Sequence, residues 1–172
     1  MKTKLFLVAL LTSIFTINAQ TQVDLSMGAG YENEVFYDFS TNTSQTFTAS
    51  DWEIAFLRTS ATGMAIRIND GIGIQVFEAS NDSNDWATID VANEANWTPL
   101  YNSDEEWFSG AFDNASENGQ FGYGWGIYNS TNHHVKGTII FVLKYADKTY
   151  RKFFVEVTLI ISLSPLDSTT TP

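Results

Sequence analysis

The feature that most constrains the fold is a succession of short runs, each too short and too rich in strand-forming residues for a helix. EVFYDF, DWEIAFLR, MAIRIN, IGIQVF, FGYGWGIY, VKGTIIFVLKY and TYRKFFVEVTLIISL follow one another, separated by clusters of Gly, Asn, Asp, Ser and Thr. In the third run Met64, Ile66 and Ile68 alternate with Ala65, Arg67 and Asn69, which predicts one buried and one wet face. Trp52, Ile54 and Phe56 alternate in the same way with Asp51, Glu53 and Ala55. Asn69-Asp70-Gly71 reads as a hairpin return, since Asp-Gly suits a type I′ turn. Ala146-Asp147-Lys148-Thr149 reads as another, with Lys148 where Gly would be easier. Helix signals are weak. TIDVANEANWTPLY and SDEEWFSGAF each predict two or three turns, capped by Asp90 and Ser103. The pattern therefore predicts an all-β or β-dominated chain: a single antiparallel domain, sandwich or open barrel, with short helices.

The ends carry a different signal. Lys2 and Lys4 precede an apolar run from Leu5 to Phe15, and Ala19 offers a small residue before Gln20. Residues 1–19 thus read as a secretory signal peptide, too short in its apolar part to span a bilayer. The expected divisions are 1–19 as signal peptide, 20–162 as β-domain and 163–172 as a Thr-rich tail or linker. That tail fits either a strand run that ends there or a longer chain cut short. The chain contains no cysteine, which excludes disulfides, a thiolate nucleophile, a zinc–thiolate site and the lipidated cysteine of a lipoprotein. Removing Lys2 and Lys4, the only charged residues of the leader, takes the formal charge from −11 to −13. Such a surface argues against nucleic acid and against anionic membranes. No transmembrane segment is expected beyond the leader.

Chemistry is harder to place. There is no GxSxG elbow, and the acids at Asp104, Glu105 and Glu106 read as a solvated helix start as well as a carboxylate pair. Asn81 to Asp85 (NDSND) is oxygen-rich, but lacks the spacing and terminal glutamate of a calcium loop, so an Asx-rich turn is the plainer reading. Tyr123 and Trp125, spaced by glycines, share a face that could stack on a sugar ring or a porphyrin; the same glycines could equally ease packing around a core Trp. His133 and His134 are the only histidines. In an extended strand they point to opposite faces, so they read as an exposed strand start or, alternatively, as one ligand with a partner such as Met27, Met64 or a tyrosine.

YENEVFYDFSTNTSQTFTASDWEIAFLRT, together with GTIIFVLKYADKTYRKFFVE, resembles the HmuY-like proteins of Bacteroidetes over roughly Tyr31 to Glu156. The resemblance implies a secreted or outer-surface β-rich domain of a Gram-negative bacterium. It implies a binding module rather than an enzyme, with haem acquisition through an outer-membrane receptor as one family role and passage through the type IX secretion machinery as another. Carried onto this chain, a haem site would use His133 or His134 as axial ligand, Met64 as its partner, and Tyr123 or Trp125 beside the ring. Two departures stand against that scheme: there is no lipid-anchor cysteine, and the two histidines are adjacent. The function expected is a non-catalytic secreted or cell-surface binding module. Haem is the alternative cofactor, with a small molecule or glycan as the other ligand class.

Overall fold

The computed structural model describes residues 21–60, 63–157 and 160–166, with the side chains of 160–163 left aside. Residues 1–19, read as a signal peptide, and the last six residues of the stretch read as a tail lie outside the described residues. The chain is β-dominated, as its pattern of short runs predicts, and the described residues form no closed barrel. The chain parts into two compact units between Thr48 and Ala49.

The first unit carries a hairpin of β1 (Asn33–Asp38) and β2 (Thr43–Thr48), paired in antiparallel register from Asn33↔Thr48 to Asp38↔Thr43. Asp38 makes its turn: Oδ1 accepts from the Ser40 amide at 2.8 Å and the Ser40 hydroxyl at 2.6 Å. These bonds hold its carboxyl below the usual carboxylate range. Asn42 closes the turn with positive φ, a conformation its short polar side chain tolerates.

The second unit is built on a five-stranded antiparallel sheet in the order β11-β10-β9-β5-β6. Its strands are β5 (Gln75–Ser80), β6 (Thr98–Leu100), β9 (Ile140–Lys144), β10 (Tyr150–Val157) and β11 (Ile160–Leu166). The last run of the sequence thus folds back on itself as β10 and β11, and β11 reaches Leu166, into the segment read as a tail. Both edge strands hold a proline, Pro99 in β6 and Pro165 in β11, a residue that discourages further pairing at an open sheet edge.

β9 is the centre. Ile140, Phe141, Val142 and Leu143 are all fully buried, so the sheet is covered on both faces and the alternation expected of a half-wet strand disappears. On one face Phe141 and Phe153 meet Phe112, with ring centroids 4.8 and 5.2 Å from it. Around them pack Ile66, Ile68, Val76, Leu100, Trp125 and Val135. This layer is supplied by two ribbons, β3 (Ile54–Arg58) with β4 (Met64–Ile68) and β7 (Gly126–Asn129) with β8 (His134–Gly137), and by the 3-10 segment Ala111–Asn114, which carries Phe112. On the other face Trp97 lies against Phe77 and Trp86 against Phe154, both brought by short 3-10 segments, Ser83–Ala87 and Val91–Asn96.

Asp90 caps the Val91–Asn96 segment through the Ala92 amide, as its position predicts, although the turns are 3-10. Ser103 accepts from the amides of Glu105 and Glu106, but no helix follows. Arg67 explains why: its guanidinium donates to the carbonyls of Ser103 (3.1 Å), Glu106 (3.0 Å) and Trp107 (3.2 Å), which a helix would use itself. The Asp70-Gly71 hairpin is also absent. Asp70–Ile72 forms a 3-10 turn that carries the chain from the β3–β4 ribbon into the large sheet. Buried Asn69 fixes this crossing by donating to the carbonyls of Ala49 (2.7 Å) and Trp52 (2.9 Å). The β9–β10 hairpin does form, with Lys148 at φ 66 in the left-handed place that favours Gly.

Because Phe112 joins β9 to β10 at the packed face, Phe112→Ala is expected to lower stability by about 3–5 kcal/mol. Urea denaturation followed by Trp fluorescence checks this. A loss under about 1 kcal/mol would mean that the aromatic cluster does not carry the core.

Candidate functional site

The histidines occupy the tip of the β7–β8 hairpin. Asn129 nucleates the turn, its Oδ1 accepting from the Thr131 amide at 2.8 Å and its carbonyl from the His133 amide at 2.8 Å. His133 therefore lies in the turn with φ 59, outside the strand, and only His134 begins β8. The expectation that both are extended is corrected on this point. Tyr128 and Val135 face each other across the ribbon; Val135 is fully buried, while His134 and Lys136 are exposed. Tyr128 Oη lies 2.6 Å from His133 Nδ1, which ties the turn histidine to the strand.

Along this ribbon runs an open groove of about 560 Å³. One wall is Ile127 to Ser130 with Lys136 to Thr138, and the other is Asn81, Asp82 and Ser83. The second wall is the NDSND stretch, whose turn reading describes it well. Asp82 Oδ1 accepts from the Asn84 amide at 2.9 Å and caps the 3-10 segment, and Ser80 Oγ donates to Asp85 at 2.7 Å. Lys152 holds the wall to the sheet from below. It is nearly buried on β10, donates to the Trp86 carbonyl at 2.6 Å and sits 4.8 Å from the Trp86 ring centroid. The groove thus gathers amide, carboxylate, hydroxyl and ammonium groups with one phenol, all on anchored backbone.

The other predicted site residues lie elsewhere. Met64 starts β4 and packs on the core cluster. Tyr123 and Trp125 are neighbours, with ring centroids 6.1 Å apart, but Trp125 is 2% exposed and belongs to the core. Gly124 serves close packing here: with φ 76, its missing Cβ would stand 2.0 Å from the Asp113 carbonyl oxygen. No open platform results. Among the described residues no group of three His, Asp or Glu could hold a metal ion, and no helix is long and apolar enough to cross a membrane. Lys136, Tyr128 and Thr138 were not singled out in the sequence; the one signal for this groove was the oxygen-rich NDSND stretch.

Beside Trp125 is the one strongly displaced acid among the described residues. Asp113 Oδ2 accepts from the amides of Ile66 (3.0 Å) and Gly110 (2.9 Å), stapling β4 to the loop before Ala111–Asn114. Burial pushes its carboxyl up to about 6, against the opposing pull of these amides and of Arg67. The Trp125 indole pulls the same way, although it and Asp113 Oδ1 stop short of hydrogen-bond geometry.

Comparison with protein-family models, with curated proteins and with solved structures finds no match to this chain.

The raised acid has a definite consequence. Between its ordinary value of 3.8 and about 6 the folded chain holds a proton on Asp113 that the unfolded chain has released. Its contribution to stability therefore grows as pH falls from 7.5 to 5. The wild-type-minus-Asp113→Asn difference in urea midpoint is expected to shift toward the wild type over that interval. A pH-independent difference would contradict the assignment.

Proposed function

We propose that this chain is a non-catalytic, exported binding module whose β7–β8 groove takes a short glycan or a comparable hydroxyl-rich ligand. The observation that carries the reading is the lining of the groove. Asn81, Asp82, Ser83, Asn129, Ser130, Lys136 and Thr138 offer donors and acceptors side by side, and Tyr128, half-buried against the core, also lines the groove. Sugar hydroxyls are bound by such a mixture of side-chain donors and acceptors. The groove walls are held by Lys152 and by the Asn129 turn, so little ordering entropy is lost on binding. Export is supported by the leader at residues 1–19.

A haem ligand suits these residues less well. A porphyrin asks for an apolar slot and two axial groups on opposite sides of the iron. Here Met64 packs on the core from the β3–β4 ribbon, Trp125 is buried, and His133 shares its Nδ1 with Tyr128.

Glycan screening of the exported protein, followed by calorimetric titration of the best hit, tests the reading. Lys136→Ala and Ser83→Ala are each expected to weaken that hit about 3- to 10-fold, the loss of one or two hydrogen bonds. Hits whose affinity is unchanged in both variants would place binding outside the groove. A hemin titration is expected to give an additive spectrum. A saturable Soret band lost in the His133→Ala, His134→Ala double variant would overturn the glycan reading in favour of haem.

A further inference from the structure

On the packed face of the large sheet, where β5 and β6 meet the exit of β4, lies a second and more enclosed cleft of about 450 Å³. Its floor is apolar: Ile68, Ile74, Val76 and Leu100 all belong to the core cluster. At its mouth stand Asp70, the one charged residue of the lining, and Tyr101, 70% exposed. Both are held in place. Asn102 Nδ2 donates to Asp70 Oδ2 at 3.1 Å and to the Ile68 carbonyl at 2.7 Å, while its Oδ1 accepts from the amides of Ile68 (3.2 Å) and Ala111 (3.0 Å). Asn114 Nδ2 donates to the Tyr101 carbonyl at 3.0 Å.

Tyr101 presents an exposed ring and Asp70 an exposed carboxylate at the rim of this apolar floor. A cation on an apolar body complements that set, since its charge pairs with the carboxylate and interacts with the aromatic face. From this juxtaposition we infer that the cleft is a second binding site, for a small organic ammonium ion carrying an aryl or alkyl group. The apolar group lies on Ile68, Ile74, Val76 and Leu100, and the ammonium lies between Asp70 and Tyr101. The volume is in the range of small-molecule sites, and the formal charge of −11 favours arrival of a cation. This site shares no lining residue with the β7–β8 groove, so it stands or falls independently of the glycan reading.

The test uses phenethylammonium, with 2-phenylethanol and 3-phenylpropionate as the neutral and anionic counterparts, titrated into the 15N-labelled exported protein. The ammonium probe is expected to shift the amides of residues 73–77 and 100–101 saturably. The alcohol is expected to bind at least 10-fold more weakly and the carboxylate not at all. Asp70→Asn, which keeps an acceptor for Asn102, is expected to weaken the ammonium at least 10-fold with the rest of the spectrum unchanged. Asp70→Glu is expected to retain binding within a few-fold. The inference is overturned if no saturable shift occurs, if the shifts fall on residues 126–138 instead, if the three probes bind alike, or if Asp70→Asn binds as the wild type does. Should Asp70→Asn fail to fold, the comparison of Asp70→Glu with the three probes on the wild type decides the matter.

Discussion

Everything in the larger unit depends on β9 being buried from both sides. Four consecutive side chains, Ile140 to Leu143, lose all contact with water, which requires a covering layer on each face of the sheet. The layers differ in kind. One is made mostly of β-ribbons, with Phe112 of the 3-10 segment Ala111–Asn114 among them, whose apolar side chains meet Phe141, Leu143, Phe153 and Val155. The other is made of 3-10 turns that carry Trp86 and Trp97. A sheet with one wet face would have needed only one of them, and without the turn layer the groove would have had no second wall.

Covering layers made of turns and two-stranded ribbons are weak on their own, and polar anchors fasten them. On the turn side Lys144 and Tyr150 both reach Glu94, at 2.5 and 2.8 Å, and Lys152 grips the Trp86 carbonyl. These partners hold the Glu94 carboxyl below its ordinary range, Lys144 contributing most. On the ribbon side Arg67, Asn102 and Asp113 satisfy backbone groups of irregular loops that no ladder reaches. Tyr145 adds a long-range tie to Glu53 at 2.8 Å; burial, then that carboxylate, pushes its phenol up to about 12. The same anchors give both clefts rigid walls, which links packing to binding.

Much of this was legible in the sequence, for physical reasons that can be named. Strand character came through because β-branched and aromatic residues dominate the runs, and Lys148 was readable as strained because the short link between β9 and β10 demands a left-handed residue. The break inside VKGTIIFVLKY was not legible. It arises because Gly137 lets β8 close onto β10, where a Cβ would stand 1.8 Å from the Val155 carbonyl oxygen. Asp70-Gly71 misled for a similar reason: local turn chemistry was right, but Asn69 redirects the chain into another sheet. Tyr123 and Trp125 were correctly placed together, yet burial of the indole depends on Asp113 and Gly124, which lie in contact only after folding. The groove lining was the least legible part, since its walls come from residues about fifty positions apart in the sequence.

The most direct measurement is native-state amide hydrogen exchange, read residue by residue. If burial of β9 on both faces organises the molecule, the amides of Phe141, Val142 and Leu143 exchange only through global unfolding. Those of the 130–134 turn exchange by local opening at a much lower free energy. Exchange of the β9 amides through local opening, at rates like those of the hairpin tip, would contradict this account of what holds the groove in place.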